Sequence, residues 1–137
     1  MFRNSTLKYK NPTVGRNICM FETLVSFKHP IVLVEGVMDA IAVRLNSIPM
    51  LGKFPSKVLL QKLLTYKPKV FVALDSDAAS DANKLTMLLQ SNGIDVTKLN
   101  FNDGEDPSSV GHERFWKMTD SKPTLFSDIM RERLYAN

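Results

Sequence analysis

The sequence predicts an α/β domain built on an open, mostly parallel sheet flanked by helices. Two runs, IVLV (Ile31–Val34) and VFVAL (Val70–Leu74), are apolar on both faces, as a strand covered from both sides must be. The segments after them repeat apolar residues at helical spacing, so strands and helices alternate along the chain. At 137 residues the chain holds one core of ordinary size.

The elements follow in order. Residues 1–29 read as an irregular connecting segment, broken by Asn11-Pro12 and Gly15, with a short ordered turn at Phe21, Leu24 and Val25. Pro30 delivers the chain into the first strand. Val37, Ala40, Ile41 and Leu45 place a helix over 37–46, and a short strand follows at 48–51, closed by Gly52. Pro55 or Ser56 opens a helix carrying Val58, Leu59, Leu63 and Tyr66, stopped by Pro68. After VFVAL, residues 78–92 read as a helix with Gly93 as its cap, and 94–99 alternates imperfectly, as an edge strand does. A turn-rich loop at 102–107 precedes short amphipathic helices at 115–118 and 127–134. The domain proper is expected over 30–111, with 112–137 a helical tail.

An apolar share of 44% with 23% charged residues is globular composition and excludes wholesale disorder. No apolar run reaches the roughly 20 residues of a membrane span, and the polar, basic opening is no secretory signal. The single cysteine, Cys19, excludes an intrachain disulfide and a cysteine-cluster zinc site within this chain. A reducing, cytoplasmic setting is expected. His29 and His112 read as surface histidines without metal-ligand spacing, and Phe115 and Trp116 as packing residues.

The net charge of +4 is unevenly spread. Residues 1–30 carry +4 and 53–69 carry +5, whereas 70–111 carry −5. An acidic middle between basic blocks suits a metal-holding pocket rimmed by surface for a polyanion. Lys53 and Lys57 are the candidate phosphate contacts, because Lys53 adjoins the Leu51-Gly52 turn and Lys57 follows four residues on.

In an open α/β sheet, functional groups gather beyond the carboxyl ends of the strands. Three acidic loops fall there: Glu35 with Asp39 one helical turn on, Asp75 with Asp77, and Asp103-Gly104-Glu105-Asp106. Asp75 and Asp77 aim the same way if the strand stays extended through them. Oxygen ligands of this kind suit a hard cation such as Mg²⁺. Each acid taken singly is also consistent with a plain helix cap, Asp77 capping a helix from Ala78 for instance.

VEGVMDAIAV, then VALDSDAASDA, then DGEDPSSVG resemble, in order and separation, the Toprim domain of DnaG-type and phage DNA primases. The resemblance spans about Ile31 to Gly111 and implies a Rossmann-like Toprim fold. It implies an active site at Glu35, Asp75 and Asp77 and metal ligation by these together with Asp39 and Asp106. Two positions depart from the pattern: Ser80 stands where primases usually have glycine, and Ser108 where they have a second aspartate.

The activity implied is Mg²⁺-dependent nucleotidyl transfer, with Mn²⁺ as a substitute ion: RNA primer synthesis on a single-stranded DNA template from nucleoside triphosphates, in phage-like replication within a bacterial cytoplasm. Because primases of this type add a zinc-binding module and a basic template-holding subdomain, a split or truncated form is expected, with a separate zinc-binding or basic subunit or a replicative helicase as partner. Phosphodiester hydrolysis or strand passage on the same fold, and a non-catalytic DNA- or replisome-binding module, are the alternatives.

Overall fold

A computed structural model describes residues 18–119 and 124–135. The opening stretch at 1–17, including Asn11-Pro12 and Gly15, lies outside the described residues. Four strands form one sheet in the order β2-β1-β3-β4: β1 (Ile31–Val34), β2 (Ser47–Pro49), β3 (Val70–Val72) and β4 (Val96–Lys98). Every pairing is parallel, with Leu33 opposite both Ile48 and Val72, and Val72 opposite Lys98.

Parallel strands need crossovers, and the helices supply them: α1 (Val37–Val43), α2 (Lys57–Tyr66) and α3 (Ala79–Ser91). Alternation along the strands divides the core in two. Ile31, Leu33, Val70 and Val72 pack with Leu59 and Leu63 of α2 and Leu85 and Leu89 of α3. Val32, Val34 and Phe71 pack on the other face with Ala40 and Val43 of α1 and with Phe115. Phe115 belongs to α5 (His112–Met118), which follows the single turn α4 (Pro107–Val110); α6 (Phe126–Leu134) ends the described chain.

Several boundaries are tighter than periodicity suggests. α1 stops at Val43 because Arg44 turns left-handed (φ 58), sending Leu45 into a bridge with Leu125 instead of another helical turn. Ser56, not Pro55, caps α2: its hydroxyl accepts from the Leu59 N–H at 3.2 Å. α5 starts three residues before the expected point, and α4 was hidden by its brevity.

The segment before β1 is anchored. Buried Asn46 accepts from the Ser26 N–H and donates to the carbonyls of Ser26 and Pro30, at 2.9, 2.7 and 2.9 Å. The Arg133 guanidinium donates to the carbonyls of Thr23 and Val25, tying α6 to the same turn.

Candidate metal centre

Because all four strands run parallel, their carboxyl ends lie along one edge of the sheet. Glu35 leaves β1 there and Asp75 follows β3, the neighbouring strand. The Asp75 main-chain N–H donates to Glu35 Oε1 at 3.2 Å. Leu51, beyond β2, donates its N–H to the Glu35 carbonyl at 2.8 Å.

Five carboxylates converge in two groups. Ligand oxygens of Glu35, Asp75 and Asp77 lie within 4.8 Å of one another, and so do those of Asp39, Asp75 and Asp106. Asp75 belongs to both. The extended conformation does not persist through Asp77, however. Asp75 is extended (φ −58, ψ 157), and the chain then tightens into a 3-10 turn at Ser76–Ala78, so the turn rather than strand alternation brings Asp77 to the group. Nor does Asp77 cap the next helix: Ala78 occupies that position, with no side-chain cap bond.

Asp106 combines both readings of an acid in a loop. It caps α4 in a reciprocal capping box with Ser109, its Oδ1 accepting from the Ser109 N–H at 2.7 Å, and it still belongs to the second group. Ser108 lies between the outer acids: its hydroxyl donates to Asp106 Oδ1 at 2.9 Å and its N–H to Asp39 Oδ1 at 3.2 Å. These bonds, led by the Ser109 N–H, hold the Asp106 carboxyl below the usual carboxylate range.

Asp75 is pushed the other way, up to about 6, first by burial and then by Glu35, Asp39, Asp106 and Asp77 around it. Its Oδ1 is buried and has no hydrogen-bond partner among the described residues. A buried carboxylate oxygen lacking a donor, among four further acids, is what an all-oxygen site for a hard divalent cation presents. The residues therefore fit a metal ion.

The DxD turn is latched to the third acidic loop by residues that motif reading passes over. Ser76 donates its N–H to the Glu105 carbonyl at 3.2 Å, and its hydroxyl accepts from the Gly104 N–H at 3.0 Å. Glu105 is in turn gripped by both guanidinium nitrogens of Arg114, at 2.5 and 3.1 Å, which lowers its carboxyl pKa. Glu105 stands in the acidic loop and was legible as such; Arg114 carried no signal, since it meets the loop only through the fold.

Lys53 and Lys57 are exposed beyond β2 and at the start of α2, and among the described residues neither pairs with an acid. Cys19 is buried, with its thiol pushed up to about 11 chiefly by burial, so it offers no nucleophile. His112 is tied into the fold rather than free on the surface, its Nδ1 lying 2.9 Å from the Val43 carbonyl.

A parallel α/β sheet with carboxylates clustered along its carboxyl edge defines a class of domains whose strand ends can hold a divalent cation. Within that class, the chain belongs to the Toprim-like family, whose pattern it matches over residues 32–110. Its fold is similar to that of the Aquifex aeolicus primase, seen in a crystal structure of the zinc-binding and RNA polymerase domains, with a TM-score of 0.57 and 23% identity. That match covers 79% of this chain but 30% of the primase chain. No curated protein matches the sequence. Among the described residues no helix is long and apolar enough to cross a membrane.

Proposed function

We propose that the chain is a primase-type Toprim protein that joins nucleotides in RNA primer synthesis on a single-stranded DNA template, as part of phage-like DNA replication in a bacterial cytoplasm. The observation that carries this reading is the pair of carboxylate groups sharing Asp75 at the sheet edge. Similarity to a primase in fold and the D-G-x-D-P loop at 103–107 favour primer synthesis over hydrolysis or strand passage.

Glu35, Asp75 and Asp77 would hold one divalent ion, and Asp39, Asp75 and Asp106 a second; Mg²⁺ is the natural choice and Mn²⁺ its substitute. Bound there, such ions neutralise charge on a triphosphate and polarise the reacting phosphate. The protein's own contribution is placement. Asp75 stays fixed by its N–H bond to Glu35, the Ser76 latch fixes the turn that carries Asp77, and Ser108 fixes Asp39 and Asp106 relative to each other. If Asp75 and Asp77 carry the first ion without Glu35, the Glu35 oxygen not engaged by the Asp75 N–H is placed to take the proton of the attacking hydroxyl. Lys53 and Lys57 contribute weak contacts to phosphate. Holding template at a fixed distance calls for a zinc-binding and basic subdomain or subunit, and a replicative helicase is the natural wider partner, since misplacement by about 1 Å costs on the order of a hundredfold in rate.

The test is incorporation of labelled ribonucleotides on single-stranded DNA with Mg²⁺, with and without an added zinc-binding primase module. Labelled oligoribonucleotides that vanish in Glu35→Gln support the reading. Degradation of the DNA instead would select the hydrolytic alternative, and binding with neither reaction the non-catalytic module.

A further inference from the structure

Beyond the acidic edge the surface changes sign. Arg44, Val110, Gly111, His112, Arg114 and Lys117, with Glu113, line a cleft of about 570 Å³ at the carboxyl end of α1 and along α5. Arg44 and Lys117 are exposed, and among the described residues neither forms an ion pair. Arg114 joins the cleft to the metal centre: it also grips Glu105, next to Asp106.

An aromatic pair stands beside these cations. The rings of His112 and Trp116 are 5.5 Å apart, inclined at 33°, and Trp116 remains 38% exposed although its neighbour Phe115 is fully buried. Trp116 packs on His112, which lines the cleft, and still leaves part of its ring open beside these cations. Cations for phosphates beside a ring for a base are the two parts that bind a single strand without regard to sequence.

We propose that this cleft binds single-stranded nucleic acid, with Arg44 and Lys117 on successive phosphates and Trp116 stacking on an unpaired base. The assignment deepens the primase-type reading by naming the surface along which template leaves the carboxylates. It differs from the basic blocks legible in the sequence, since Arg44, Arg114 and Lys117 come from two distant segments. A duplex keeps its bases stacked inward and gives Trp116 nothing to cover, and an acidic peptide supplies charge without a base.

Trp116 is the only tryptophan in the chain, so its emission reports the site directly. Titration with an oligothymidylate in a chelating buffer at low salt is expected to quench it. The logarithm of affinity should fall linearly with that of salt concentration. Arg44→Gln with Lys117→Gln should weaken binding about tenfold or more and reduce the salt slope by about 1.4, from two phosphate contacts at about 0.7 each. The matched pair Lys28→Gln with Lys84→Gln, both exposed and remote from the cleft, should change neither. Fluorescence anisotropy showing binding without quenching would overturn the proposal. So would equal quenching by duplex DNA or by polyglutamate, or an equal loss in both double variants. The chelator keeps divalent ions out, so failure here leaves the metal-centre reading standing, and failure of that reading leaves this one standing.

Discussion

The N–H of Asp75 donates to Oε1 of Glu35 across 3.2 Å, joining the ends of two neighbouring parallel strands through residues 40 positions apart. The bond holds a carboxylate close to a second carboxyl group that electrostatics alone would drive away. Burial first and this repulsion second make Asp75 resist ionisation, and a cation would relieve the repulsion.

Glu35→Gln keeps the accepting oxygen and removes the charge. Asp75 should then titrate below its present value of about 6, yet still above 3.8, because burial rather than Glu35 is the leading cause of its shift. Carboxyl ¹³C NMR across a pH titration reads this directly. An unmoved midpoint would mean the two side chains do not sense each other.

The same shift fixes a pH dependence. A carboxyl whose pKa is raised on folding binds its proton more tightly in the folded state, so its stabilising contribution is complete below 3.8 and lost as pH rises through about 6. Metal has the opposite profile, since it must displace that proton. The rise in Tm produced by Mg²⁺ should therefore be full near neutral pH and collapse as pH falls through about 6. Thermal scans at fixed Mg²⁺ over that window check it. A rise independent of pH would place any bound ion away from Asp75.

The Ser76 and Arg114 latch predicts a local effect with little global cost. The Arg114–Glu105 pair is solvent-exposed, so Arg114→Ala should leave overall stability nearly unchanged. Hydrogen exchange at the Gly104 amide, which donates to Ser76, should nevertheless accelerate as the loop loosens. Unchanged exchange would show that the loop is held without Arg114.

Much of the candidate site's geometry was legible because it obeys a local rule: an acid immediately after a strand lies at the sheet's carboxyl edge. IVLV and VFVAL marked both strands, and parallel pairing did the rest for Glu35 and Asp75. Asp77 was legible by position but not by mechanism, since a 3-10 turn supplies the orientation assigned to an extended chain. What stayed hidden is tertiary. Arg114 meets Glu105 from another helix, and Ser108, a departure from the family pattern, forms bonds to Asp39 and Asp106 that spacing does not reveal. α1 ends early because Arg44 adopts a left-handed conformation imposed by the turn into β2, against a helical pattern that runs on to Leu45.

Asn46 offers a stability test remote from the chemistry. Its buried amide satisfies the Ser26 N–H and two carbonyls, so Asn46→Ala strands buried backbone groups and should cost on the order of 3 kcal/mol. Urea unfolding measures it. A loss under about 0.5 kcal/mol would mean the segment before β1 is not anchored to the sheet through this residue.

The central claim is that Asp75 is the shared ligand of two cation sites, and Mn²⁺ binding followed by electron paramagnetic resonance tests it most directly. Asp75→Asn should weaken every bound Mn²⁺ by about tenfold or more, in line with the cost of disturbing a metal site's ligands. Its metal-free fold, relieved of a buried charge, should be at least as stable as the parent at neutral pH. Asp103→Asn, which alters an acid of the Asp106 loop outside both groups, should bind as the parent does. Mn²⁺ binding that survives Asp75→Asn undiminished, or that falls equally in Asp103→Asn, would contradict the account.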